Sequence, residues 1–308
     1  TDIKSLKKAA RQNIGPELNK RIKHIIEDSL LELKDDFKIY WGKFPIAKLL
    51  PGKDYLDPEL YLIIDDIVEI DEQKKLLKHL EKWLKEKINF ILKSLIELRS
   101  LKESNSSVRA LAYQLYENNG VLKRDKVSEY LKKLGQDERK ILRKLGVKFG
   151  RYHVFLFKLL KPESVSLRIL LWKNYHQKSF NLKPPTFGLN FLEDKDYKNK
   201  NFMLLCGFEN FDKYFVRIDI LERLFVQIIN TNPDNKAKIK LVPEMLNLLG
   251  CSKNNFIKLI KKMSYKTFEE NNEIYFKYAP IKQKIRNTIK KINETDNPFN
   301  ILKNINFK

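Results

Sequence analysis

The sequence predicts a mainly α-helical protein that also contains small β-hairpins, an α+β fold. Three observations predict it: long stretches with apolar residues every three or four positions, short alternating stretches beside turn residues, and one pattern that occurs twice. The first spacing is typical of an amphipathic helix and the second of a strand buried on one face. Hydrophobic residues make up 43% of the 308 positions, which is ample for a core.

A helix followed by a hairpin is predicted at the start of the chain. Apolar residues recur at three- and four-residue steps over residues 3–34, which indicates a helix. The following residues alternate on both sides of Gly42-Lys43, a pair that can form a two-residue turn. We therefore predict a β-hairpin over residues 37–49, closed by Pro51-Gly52.

A long amphipathic helix is predicted over residues 71–101, with Asp71 as its N-cap. The polar stretch from Glu103 to Ser107 follows it and is the expected linker. Residues 1–103 are therefore predicted to form a helical region that carries one hairpin.

The pattern that occurs twice indicates two similar units. The stretch from Val127 to Gly135 matches the stretch from Val242 to Gly250 at a constant offset of 115 residues. In both copies a helix that ends at glycine precedes a polar cap region and a second helix, as in a helix-turn-helix. A supporting helix comes before each copy and a hairpin after it. Helix, helix, helix and hairpin is the element order of a winged helix.

We therefore predict two winged-helix-like units. The first, over residues 104–180, is basic and has its supporting helix at Val108–Tyr116 and its wing at residues 147–155. The second, over residues 181–280, has the supporting helix at Arg217–Ile229, a helix capped by Ser252, and a hairpin that turns at Asn271-Asn272. A basic, loosely ordered tail is expected over residues 281–308.

The charge balance favours a polyanionic partner. The chain has 61 Lys and Arg residues against 39 Asp and Glu residues, so its formal charge is 61 − 39 = +22. Nucleic acid is the first partner class for such a surplus, and an anionic membrane is the second. From Lys123 to Arg151 there are 11 bases and four acids, a net charge of +7, whereas residues 54–72 contain acids and no base. An ordinary solvated face of an abundantly basic chain is the alternative for each basic patch.

The candidate nucleic-acid-binding residues lie on the helix before each predicted hairpin, and on the hairpin itself. In the second unit they are Lys253, Asn255, Lys258, Lys261, Lys262 and Lys266. In the first unit they are Arg139, Lys140, Arg143, Lys144, Lys148, Arg151 and Tyr152. Lysine and arginine would bind phosphate, while Tyr152 or Tyr265 would stack on bases, with packing in the core as the alternative for both tyrosines.

No catalytic or metal-binding motif emerges from the sequence. Neither Gly-Lys pair continues with the Ser or Thr of a phosphate-binding loop, and no HExxH, GxSxG or GxGxxG motif occurs. The pairs Asp65-Asp66 and Asp71-Glu72 lie within the acidic segment, which favours a solvated surface over a metal site. Cys206 and Cys251 are expected to be reduced thiols. With no predicted membrane span or signal peptide, we expect a cytoplasmic protein.

Several segments together resemble the C-terminal region of bacterial superfamily-two ATP-dependent helicases related to the mitochondrial degradosome RNA helicase. The segments are Trp41–Leu49 with Asp57–Leu60, Gly120–Arg124, Leu145–Gly150, Val154–Leu156, Leu159–Pro162, Leu167–Trp172, Val216–Leu224, Leu248–Cys251 and Asn297–Phe299. The resemblance implies an accessory region that binds nucleic acid, with RNA preferred over DNA. The two ATP-hydrolysing domains of that family are absent from this sequence. The resemblance therefore implies no catalytic residue or cofactor in this chain, with ATP and magnesium bound only by a helicase core.

A protein-interaction scaffold that docks a helicase core or a nuclease partner is the alternative function. The helix predicted over residues 71–101 suits docking, and the acidic segment over residues 54–72 suits a basic partner. A metal-dependent nuclease is a third class, and it would require Asp65 or Asp66 for its activity.

Overall fold

A computed structural model describes residues 16–17, 19–27, 30–63, 69–102, 105–177, 182–194, 200–231 and 238–279. The described part is an α+β fold in which helices pack around four small antiparallel sheets, so the predicted class is confirmed. The predicted tail over residues 281–308 and the pair Asp65-Asp66 lie outside the described residues. Within the described ranges, no helix has the length and apolar character needed to cross a membrane.

The first sheet is a four-stranded antiparallel meander that follows a helix, α1, described over residues 19–27. Its strands are β1 (Leu31–Leu33), β2 (Lys38–Trp41), β3 (Phe44–Asp54) and β4 (Asp57–Leu62). The predicted hairpin is the β2–β3 pair, and Gly42 turns it with a φ of 59°, a conformation that favours glycine.

Two predictions for this region are wrong. The helix predicted over residues 3–34 extends too far, because residues 31–33 pair with β2 as a strand. The hairpin does not close at Pro51-Gly52, because β3 continues through both residues and turns at Tyr55 and Leu56. A register irregularity between Leu50 and Asp54 accommodates the proline, which has no N–H to donate. Gly52 is required instead by the close approach of the Asp57 carbonyl.

The long helix predicted over residues 71–101 is two helices, α2 (Ile70–Ile91) and α3 (Lys93–Arg99). The buried residues of α2 recur every four positions, and each such step moves the apolar stripe about 40° around the helix. The break at Leu92 brings the next apolar residues back to the core, where Leu95 and Leu98 are buried. Asp71 is not the N-cap as predicted, because the helix starts one residue earlier and Glu69 occupies that position.

The next six elements form a unit with its own small sheet. They are α4 (Ser106–Glu117), β5 (Val121–Lys123), α5 (Ser128–Lys133), α6 (Gln136–Lys144), β6 (Val147–Phe149) and β7 (His153–Leu156). The strands pair in the order β5–β7–β6. The side chain of Asn105, in the polar break predicted as a linker, caps α4 by accepting from the backbone N–H groups of Ser107 and Val108.

A helix and a second small sheet follow this unit. The elements are α7 (Pro162–His176), β8 (Phe191–Glu193), α8 (Lys200–Leu205), β9 (Phe208–Phe211) and β10 (Tyr214–Arg217). The strands pair in the order β8–β10–β9. Sequence analysis missed this sheet.

The last six described elements repeat the order of the first unit. They are α9 (Ile218–Thr231), β11 (Ile239–Lys240), α10 (Pro243–Leu249), α11 (Lys253–Lys262), β12 (Tyr265–Glu270) and β13 (Glu273–Tyr278). Their strands pair in the order β11–β13–β12, which is the order of the first unit. Ser252 caps α11 as predicted, since its side chain accepts from the backbone N–H of Asn255 at 3.2 Å.

The hydrophobic core has a different distribution from the predicted regions. One cluster runs without interruption from α1 and the first sheet into the unit formed by residues 106–156, and on to Leu171. The unit formed by residues 218–278 has a separate core. The first unit is therefore packed against the preceding region across the predicted boundary at residue 103.

Candidate nucleic-acid interface

Helix α11 buries an apolar face and exposes a basic one. Phe256, Leu259 and Ile260 are packed in the core of its unit. Four predicted residues lie exposed away from that core: Lys253, Lys258, Lys261 and Lys262. Lys262 is 2.9 Å from a carboxylate oxygen of Asp212, whereas the other three form no ion pair within the described part of the chain. Asn255, the fifth predicted residue of this helix, is half-buried.

The hairpin after α11 adds a pair of like charges. Lys266 on β12 lies directly opposite Lys277 on β13, and both side chains are exposed. Like charges in opposed cross-strand positions destabilise a hairpin. A bound anion would relieve that repulsion, so the pair favours a phosphate-binding role for this hairpin.

Helix α6 is the corresponding helix of the first unit, and three of its four predicted residues are exposed: Lys140, Arg143 and Lys144. Arg139 differs, because its guanidinium donates to the carbonyl oxygens of Leu131 at 2.8 Å and Leu134 at 3.2 Å. Those bonds join α6 to the end of α5. The structure therefore gives Arg139 an internal role in holding the two helices together.

The wing of the first unit lies against the second unit. The Tyr152 ring is half-buried and meets the Phe225 ring edge-on at 5.4 Å, and the Arg151 guanidinium lies 5.4 Å from the centre of the same ring. Burial and contact with Tyr265 raise the pKa of Tyr152. Tyr265 itself is only 3% exposed. Both tyrosines therefore pack against other side chains of the protein, which was the alternative to stacking on bases. Lys148 and Arg151 are exposed.

Glu222 on α9 fixes this wing in place. Its carboxylate accepts from the backbone N–H groups of Arg151, Tyr152 and His153, the last two at 2.8 Å. A side chain at position 150 would collide with that carboxylate, which explains the glycine there. Sequence analysis missed Glu222, because an acid within an amphipathic helix shows no sign of a contact with backbone 69 residues away.

Beside Glu222 lies a buried charged cluster around His153, which is 1% exposed. Its Nε2 is 2.6 Å from an oxygen of Glu209, and its Nδ1 is 3.4 Å from an oxygen of Glu222. Lys123 reaches the other oxygen of Glu209 at 2.7 Å. Burial disfavours the charged form of His153, but the two carboxylates outweigh it and raise the pKa of His153. Burial also disfavours the charged form of Glu209, but its contacts with His153 and Lys123 outweigh burial and lower the pKa of Glu209.

The cluster predicts a pH-dependent contribution to stability. Because the pKa of His153 is raised in the folded state, protonated His153 stabilises the fold fully at pH values below its unfolded pKa of 6.5. This contribution is lost as the pH rises through the folded pKa. The difference in free energy of unfolding between the wild type and His153→Gln, from urea titrations at several pH values, should therefore be largest below pH 6.5 and shrink above it. A difference that stays constant across this range would contradict the charged state of His153.

The His153 cluster and the exposed basic helices α6 and α11 suit different roles. Among the described residues, no group of three or more His, Cys, Asp or Glu side chains is arranged to hold a metal ion. Cys206 is buried and Cys251 half-buried, and burial raises the pKa of both thiols, to about 12 and about 11, so neither is an activated nucleophile at neutral pH. The arrangement is suited to binding anions on the exposed helices and to holding the two units together at the cluster.

Comparison of the chain with protein-family models, with curated proteins and with solved structures finds no match.

Proposed function

We propose that the chain is a nucleic-acid-binding module that prefers RNA and binds it through two winged-helix units. One observation carries the proposal: two units share the same order of elements and strands, and each exposes basic residues on the helix before its hairpin. A winged helix presents that helix to nucleic acid. In this proposal α11 and α6 bind phosphates through their lysines and Arg143.

We further propose that the module is the C-terminal accessory region of an ATP-dependent helicase that acts in the cytoplasm. The segments quoted for the resemblance support this role, and they are also the basis for the RNA preference. In this proposal the chain contributes strand binding, while ATP and magnesium are bound by a separate helicase core.

Fluorescence anisotropy tests the proposal with labelled single- and double-stranded RNA and DNA of one sequence at several salt concentrations. Binding that neutralises about five phosphates should weaken with a log-log slope near −4. Single-stranded RNA should bind most tightly of the four. Absence of binding to all four nucleic acids at low salt would overturn the proposal.

A groove of about 620 Å³ between β4 and helices α2 and α3 favours protein docking as the second candidate function. Leu60, Leu84 and Ile88 line its apolar part. Its charged lining is Asp57, Glu59 and Glu81 against Lys85 and Arg99, a balance of 2 − 3 = −1. Such a groove suits an apolar segment of a helicase core or nuclease partner that carries basic flanks. Docking through apolar surface would depend little on salt, so the same salt series separates the two candidates.

A further inference from the structure

A basic cleft of about 490 Å³ lies between the first unit and β9, and no residue of α6 or α11 lines it. Lys123, Arg124 and Arg151 line it on the side of the first unit, and Asn210 and Phe211 line it on β9. Its volume is that of a typical small-ligand pocket. Polar donors and an aromatic ring therefore converge on one open cleft.

The charge in this cleft favours an anion. The lining carries Lys123, Arg124 and Arg151 against Asp125 and Glu209, a balance of 3 − 2 = +1. Glu209 is occupied by Lys123 and His153. Arg124 uses one guanidinium nitrogen to donate to the Gly150 carbonyl at 2.7 Å, which leaves further N–H donors on its fork. Arg151 is exposed and forms no ion pair within the described residues.

The walls of the cleft are held before any ligand binds. The backbone N–H of Arg124 donates to the Tyr152 carbonyl at 2.8 Å, so the two arginine-bearing segments are joined directly. Glu222 fixes the three residues of the wing, and Glu209 bridges β9 to Lys123 and His153. Because these bonds fix the backbone at both arginines and the side chain of Arg124, a ligand would have to order little more than the exposed Arg151 side chain.

We propose that this cleft binds a nucleoside phosphate, with the phosphate on Arg124 and Arg151 and the base against Phe211. Guanidinium groups match phosphate oxygens in geometry, and an aromatic ring binds any base by stacking. The site rests on the proposed function, in which a single strand on the basic helices also passes this cleft. One nucleotide of a strand and a free mononucleotide share the same chemistry, and the experiment separates them.

The test compares Arg151→Ala with Arg223→Ala. Both remove one exposed arginine, but only Arg151 lines the cleft. AMP is titrated by calorimetry, and a single-stranded oligoribonucleotide containing 4-thiouridine is cross-linked by ultraviolet light and mapped by mass spectrometry. We expect Arg151→Ala to weaken AMP binding about tenfold, the effect of losing one charge-assisted hydrogen bond, and Arg223→Ala to change it less than about twofold. Phe211→Leu, which keeps the apolar packing, should also weaken it.

Each outcome decides the proposal. Cross-linking to Phe211 that Arg151→Ala weakens supports the cleft with a strand as the source. AMP binding that Arg151→Ala weakens about tenfold, without such a cross-link, supports the cleft with a free nucleotide as the source. If neither readout responds to Arg151→Ala or Phe211→Leu, the cleft proposal is overturned. The proposed function is then tested separately, because it depends on the lysines of α11.

Discussion

Alanine at Lys258, Lys261 and Lys262 together is expected to weaken binding of single-stranded RNA on the order of 100-fold at low salt. These side chains are exposed on α11, away from the core face that holds the helix. Their loss removes phosphate contacts and leaves the packing of Phe256 and Ile260 unchanged. Fluorescence anisotropy with one labelled RNA measures the effect, and far-ultraviolet circular dichroism verifies the fold.

The matched control for this variant is alanine at Lys74, Lys78 and Lys82, which are exposed on α2. Both variants lower the formal charge from +22 by three, to +19. If binding depended only on the overall charge, the two variants would lose affinity equally. An equal loss would therefore contradict the assignment of the interface to α11.

The largest expected effect on stability comes from Arg168→Ala, which should lower the free energy of unfolding by about 4 kcal/mol. Arg168 is fully buried on α7, at 0% exposure, and donates to the carbonyl oxygens of Asn119 and Leu159 at 2.6 Å each. Its burial lowers the pKa of its guanidinium to about 10. Alanine leaves both carbonyls unpaired at the end of α4 and before α7, and it leaves a cavity among buried residues.

Two further variants separate the causes of this loss. Arg168→Met fills much of the volume without the hydrogen bonds, so it should lose about 2 kcal/mol. Arg223→Ala, at an exposed position on α9, should change the free energy of unfolding by less than about 0.5 kcal/mol. Urea denaturation measures all three variants. A loss of less than about 1 kcal/mol for Arg168→Ala would show that its hydrogen bonds stabilise the fold little.

Local signals in the sequence were enough to predict several elements. The repeat at an offset of 115 residues predicted the three helices and the hairpin of each unit, because each has its own apolar spacing, but the strands β5 and β11 were not predicted. Ser252 was predicted as a cap because an N-cap depends only on the residues that follow it. The turn at Gly42 was likewise decided by two residues.

Features that depend on distant contacts were missed. The three-residue strands β1 and β8 are too short to show an alternating pattern, and β8 pairs with β10, which follows it only after α8 and β9. The cluster around His153 joins it to Glu209 and Glu222, which are 56 and 69 residues away. Arg139 was predicted to bind phosphate because its charge suited the helix, but its carbonyl partners are visible only in the folded unit. Tyr152 was similarly undecided until its neighbour Phe225 was known.

The salt dependence of RNA binding tests the central claim most directly, when it is measured on the wild type, the α11 variant and the α2 control. The account predicts a log-log slope near −4 for the wild type and for the α2 control. For the α11 variant it predicts a slope about two units shallower, since three phosphate contacts on a single strand are lost. A wild-type slope near zero, or the same slope for the α11 and α2 variants, would contradict binding of nucleic acid through α11.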